Sequence, residues 1–129
     1  MEGYIVKIEE SSREFTARER IAFKDTTDVT KLDEVTATGP IEIAPADYAV
    51  LSIHNEKAKD GQNKDYRNFV VVDKSGERFV TGSESFFSSF MEIWDEMKEF
   101  APDEEFAIKV FRRESKNYKG KSFITCSIV

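Results

Sequence analysis

A chain of 129 residues, 40% apolar and 34% charged, suits one folded, soluble domain with a core of its own. Its formal net charge of −6 excludes a wholly basic nucleic-acid binder, and its one cysteine, Cys126, excludes an internal disulfide. No apolar run approaches the roughly 18 residues of a membrane span, and MEGYIVKIEES lacks the basic-then-apolar order of a signal peptide, so the expectation is a cytoplasmic protein with no membrane partner.

Tyr4 to Glu9 (YIVKIE) alternates as a short strand. Thr16 and Glu19 make a capping-box pattern ahead of Arg20–Lys24, although Phe15, Ala17, Ile21 and Phe23 share one parity and leave a strand open. Asp28 to Val35 holds a helical turn or two on Val29 and Leu32, and the run from Thr36 to Pro40 breaks the chain. Residues 1–40 read as a small extension of the main body at 41–129, so a single domain over 1–129 is expected.

The signals sharpen from Ile41 onward. Tyr48 to Lys57 is a strand, with Ala49, Leu51 and Ile53 inward and Val50, Ser52 and His54 outward. A polar loop over 58–64 leads to a second strand, Asp65 to Asp73, rich in β-branched and aromatic residues. The turn Asp73-Lys-Ser-Gly76 returns the chain as a third strand, Glu77 to Thr81. A helix from Ser83 to Phe100 follows, with Thr81 and Glu84 as its capping pair. Phe86, Phe90, Ile93, Met97 and Phe100 recur along it at helical spacing, widened by Phe87, Met91 and Trp94. Such a stripe is core against a sheet, with Trp94 largely buried, before it is a cofactor pocket. Asp95, Glu96 and Glu99 form a solvated outer face, and Pro102 ends the helix.

The last quarter carries the chemistry. Phe106, Ile108 and Val110 alternate with Ala107, Lys109 and Phe111, and beyond a loop Ile124, Cys126 and Ile128 alternate with Phe123, Thr125 and Ser127. Parity groups Lys109, Phe111 and Arg113 on one face, beside a loop bearing Lys116, Tyr118, Lys119 and Lys121, with Gly120 as its turn residue. Aromatic faces stack bases, and ammonium and guanidinium groups follow phosphates, so this row suits a single-stranded nucleic acid. The plainer reading is a solvated edge hairpin whose lysines block aggregation. Charge is polarised along the chain. Residues 105–129 carry six Lys or Arg against two Glu, whereas 83–104 carry one Lys against seven Asp or Glu. Local basic surface of this kind binds phosphate modestly and with salt sensitivity.

From Tyr48 the order is strand, strand, strand, helix, strand, strand, which resembles the OB-fold. The expected class is therefore mainly β (α+β), an OB-like five-stranded barrel with one helix between strands three and four. The loops at 57–64 and 114–121 would then join Tyr66, Arg67, Phe69, Arg78 and Phe79 on one ligand surface. With FVVVDKSGERFVTGS, SESFFSSFMEIWDEM and FAIKVFRRESKNYKGKSFITCSIV, residues 41–129 resemble the small single-stranded DNA-binding proteins of bacteriophages and mobile elements. The resemblance implies coating of exposed strands in replication or recombination, without base-specific readout and without a cofactor. It also implies replication or recombination proteins as partners and is compatible with a homo-oligomer. Strand parity and loop composition make the expected contact set Tyr66, Arg67, Phe69, Lys109, Phe111, Arg112, Arg113, Lys116, Tyr118, Lys119 and Lys121. Many bacterial proteins of this function recruit partners through a disordered acidic tail, and with a strand pattern running to Val129 that mode of recruitment is not expected here.

An enzyme is not expected. His54 is the only histidine and has no cysteine or histidine at metal-ligand spacing, and the six glycines form no phosphate-cradling motif. The competing reading is an acidic protein-interaction module, such as a phage-encoded inhibitor that imitates nucleic acid with Asp95, Glu96 and Glu99. The two differ in which pole makes contact.

Overall fold

The computed structural model describes residues 4–25, 28–56, 65–115 and 121–129. In chain order its elements are β1 (Tyr4–Ser11), α1 (Ala17–Lys24), β2 (Thr30–Lys31), α2 (Leu32–Val35), β3 (Ile41–Ile43), β4 (Pro45–Asn55), β5 (Asp65–Asp73), β6 (Arg78–Thr81), α3 (Glu84–Phe100), β7 (Ile108–Glu114) and β8 (Ser122–Ile128). The protein is mainly β, as its sequence predicts, and among the described residues its strands form two sheets and no closed barrel. Contacts divide the chain into two units, Met1–Val29 with Ala46–Gly82 and Thr30–Pro45 with Ser83–Val129. The expected extension at 1–40 is thus shared between both units.

In the first unit, β1, β4, β5 and β6 are neighbours in that order. β1 runs antiparallel to β4 from Tyr4 opposite Asn55 to Ser11 opposite Ala49, with an irregularity between Ile8 and Glu10. Alternation in both strands delivers Val6, Ile8, Ala49, Leu51 and Ile53 to one cluster, completed by Phe23, Val70 and Val80. Val50, expected outward, is also buried. The reason is that YAVLSI is a nearly continuous apolar run, the mark of a strand covered on both faces.

The capping box settles the ambiguous segment as helix. The Thr16 hydroxyl accepts from the Glu19 amide, and the Glu19 carboxylate accepts from the Thr16 amide. Arg13 joins Glu19 to Asp47, and this guanidinium holds the Glu19 carboxyl down at about 2. Phe15 stacks on Phe23 with ring centroids 4.4 Å apart, which fixes α1 to the cluster. Arg78, read from the sequence as ligand surface, instead donates to the carbonyls of Ala22 and Asp25 at the end of α1. A cation there meets the negative end of the helix dipole, beside an Ala22 carbonyl that also accepts from the Asp25 amide. Phe79 is buried as well. The turn between β5 and β6 forms as predicted, with the Gly76 amide donating to the Asp73 carbonyl at 2.8 Å and Gly76 at φ 94°.

In the second unit, β3, β7 and β8 form a three-stranded antiparallel sheet with β7 in the middle. α3 packs along β8. The Ser85 hydroxyl donates to the Ile124 carbonyl at 2.9 Å, and the Ser89 and Thr125 hydroxyls meet at 3.0 Å. The helix begins one residue later than read, because Ser83 is the cap that accepts from the Phe86 amide, while Thr81 lies buried in β6. Its buried stripe is Phe86, Phe90 and Trp94, four residues apart, with neighbouring ring centroids 5.8 Å apart. Phe100 belongs to the sequence stripe but is 72% exposed. Six residues beyond Trp94, it lies about 120° round the helix from that ring.

The five strands of the sequence reading exist in the expected order and, among the described residues, are divided between two sheets, β4, β5 and β6 in one and β7 and β8 in the other.

Candidate functional site

The β7–β8 hairpin builds one face from residues of a single parity. Lys109 stands opposite Ser127, Phe111 opposite Thr125 and Arg113 opposite Phe123. The alternate set, Ile108, Val110, Ile124 and Cys126, is buried, so the register fixes which side remains accessible. On that side the Lys109 ammonium is 6.0 Å and the Arg113 guanidinium 5.6 Å from the centroid of the half-buried Phe111 ring. The cation–aromatic–cation row read from the sequence therefore exists as a physical cluster, within the range of cation–π attraction.

Two residues missed in the sequence belong to the same face. Phe123 is 36% exposed and lies across from Arg113. Strand parity marked it as outward, and the hairpin register that puts it beside Arg113 was the missing step. Glu42 in β3 stands opposite Lys109 and is exposed. It places a carboxylate at one end of the cationic row. No signal in sequence could show this, because the β3–β7 pairing joins segments more than 60 residues apart.

The other predicted contacts are distributed differently. Arg112 has the opposite parity and braces the hairpin, donating to the Asp33 carbonyl at 2.6 Å and to the Ser122 hydroxyl at 3.2 Å. Lys121 is exposed at the foot of the hairpin, where its carbonyl accepts from the Ser115 amide at 2.8 Å. Lys116, Tyr118 and Lys119 lie outside the described residues, as does the loop over 57–64. Tyr66, Arg67 and Phe69 belong to the first unit. Tyr66 is 38% exposed. Arg67 lies 3.7 Å from the Glu9 carboxylate and 5.4 Å from the Phe69 ring centroid. Phe69 itself is 1% exposed, so its ring offers no face to a base. Its place in a run of apolar residues buried on both sides of β5 is the cause.

His54 has acquired two carboxylates. Its Nδ1 lies 2.6 Å from Asp65 Oδ1, and its Nε2 meets Glu56 Oε1. The Glu56 and Asp65 hydrogen bonds raise its pKa above the usual histidine value. The sign is set by the charged form being favoured in the folded protein. This contribution is fully present below about pH 6.5 and is lost as pH rises through the higher folded value. The Glu19 contribution is present above about pH 4.5 and disappears as pH falls toward about 2. Proton NMR of the single histidine is expected to show a titration midpoint above 6.5, falling back in Asp65→Asn. Thermal melts of His54→Gln should lose less stability than wild type between about pH 6 and pH 9. Parallel loss in both proteins would remove His54 from the alkaline limb.

Among the described residues, no helix is long and apolar enough to cross a membrane. No family model, curated protein or solved structure matches the chain, so its function is argued from its own residues.

Proposed function

We propose that the protein binds single-stranded DNA without sequence preference, using the exposed face of the β7–β8 hairpin. The observation that carries this reading is the Lys109–Phe111–Arg113 row, two cations flanking an aromatic ring on an accessible sheet face. Phe123 extends the aromatic surface and Lys121 the cationic one. Unstacked bases can lie on the rings while phosphates meet the cations, and every base has a π-face, so no sequence is selected. Lys116, Tyr118 and Lys119 of the connecting loop extend the proposed contact set. Arg112 serves it indirectly, by holding the hairpin to α2. The OB-like order of strands and helix from β4 to β8 supports the same class, that of the small phage and mobile-element proteins that coat exposed strands during replication and recombination.

Titration with one oligonucleotide, single-stranded and then as duplex, at about 50 and 200 mM salt, tests the proposal. The expected result is tighter binding of the single strand and weakening with salt by about 0.7 log units of affinity per log unit of salt for each phosphate contact. Equal affinity for both forms would reject it. Glu42 supplies a finer check. Glu42→Gln removes the carboxylate beside Lys109 and is expected to strengthen single-strand binding up to about fivefold, the range of one exposed charge pair. Weaker binding in that variant would show that the strand does not pass this end of the sheet.

The second reading is the acidic interaction module. It is favoured by the exposed Glu92, Asp95, Glu96 and Glu99 on α3. Those side chains would meet the cationic site of a nucleic-acid-binding protein, and the hairpin cations would then have no part in binding.

A further inference from the structure

A groove of about 390 Å³ runs between α3 and β8, wholly within the second unit. Ile93 and Met97 of the helix and Cys126 and Ile128 of the strand give it an apolar floor, and Glu92 and Glu96 border it. The buried stripe of α3 lies at Phe86, Phe90 and Trp94, so Ile93 and Met97 are left only half-covered on its flank. Apolar surface continues beyond Met97 and Ile128 at one end of the groove, with Ile128 50%, Val129 69% and Phe100 72% exposed. The two carboxylates, one helical turn apart, make no hydrogen bond or ion pair with another described residue.

We infer that this groove docks a short, basic segment of a partner protein that carries apolar side chains between its lysines or arginines. The apolar side chains would cover Ile93, Met97 and Ile128, removing from water a surface that the fold leaves open. The cations would meet Glu92 and Glu96, whose i, i+4 spacing of roughly 6 Å presents both to one bound segment. The sign of charge decides the occupant. Seven acidic residues against Lys98 in 83–104 repel nucleic acid. A second copy would have to present a basic segment of its own, such as Arg18, Arg20 and Lys24 around the exposed Ile21, and self-association of the free chain tests for that occupant. A separate basic segment supplies the complementary charge directly. The groove meets the proposed strand-binding face only at Ser127, opposite Lys109, and no side chain proposed to contact one ligand is proposed to contact the other, so either can stand without the other.

The test uses a fluorescein-labelled dodecamer of alternating lysine and leucine, a glutamate–leucine control, and the full-length chain. Saturable binding of the lysine peptide is expected, with amide shifts at Ile93, Met97, Cys126 and Ile128. The Glu92→Gln/Glu96→Gln variant should bind the peptide at least about twofold more weakly, as two exposed charge pairs imply, with no loss of single-strand affinity. Met97→Glu should weaken it further while melting normally. Absence of saturable binding, equal binding of the glutamate peptide, or shifts confined to other surfaces would overturn the inference. Self-association of the free chain that the double variant abolishes would also overturn it, by assigning the groove to a second copy.

Discussion

Replacing Phe90 with Ala is expected to destabilise the protein by about 3–5 kcal/mol, the range for deleting a buried aromatic side chain. Phe90 is fully buried in the middle of the α3 stripe, with the Phe86 and Trp94 rings each 5.8 Å away. Truncation therefore leaves a cavity and also removes two aromatic pairs, worth roughly 0.5–1.5 kcal/mol each beyond their area. Domains of this size have about 5–15 kcal/mol in total, so the change would consume a large share of the stability. Trp94, the only tryptophan, lies beside the deleted ring and reports the transition by fluorescence. Denaturant melts showing a loss below about 1 kcal/mol would mean that α3 does not cover the core of the second unit.

The second large effect concerns binding. Phe111→Ala is expected to lower single-strand affinity by roughly 1–3 kcal/mol, the measured worth of one stacked base. Its salt dependence should be unchanged, because no charge is removed. Lys109→Gln with Arg113→Gln should do the opposite, flattening the salt slope by about 0.7 per lost phosphate contact. The separation is meaningful because the three side chains share one patch, with both cations within 6.0 Å of the ring centroid. A general disturbance of the hairpin would alter affinity and slope together in all variants. Full binding by Phe111→Ala, with an unaltered slope in the double variant, would move the site off this face.

What was legible in the sequence was what repeats locally. The parity of β7 and β8, the Asp73–Gly76 turn, the Thr16–Glu19 capping box and the burial of Trp94 depend on residues within a few positions of one another. Those features came through. The division into two sheets did not, because it depends on β1 finding β4 and β3 finding β7, pairings between distant segments. The same limit explains Glu42 and Phe123, whose positions beside the cationic row follow from register rather than composition. Phe69 and Arg78 failed for another reason. Aromatic and basic residues carry the same letters whether they face a ligand, fill a core or cap a helix, and here Phe69 is buried while Arg78 closes α1.

The central claim is that a single strand lies on the outer face of the β7–β8 hairpin, and amide chemical-shift mapping tests it most directly. Isotope-labelled protein titrated with a short oligothymidylate should show its largest shifts at Lys109, Phe111, Arg113, Phe123 and Thr125. The acidic face of α3, at Glu92, Asp95, Glu96 and Glu99, should remain where it was. Shifts concentrated on α3, or spread without any focus on the hairpin, would contradict the account.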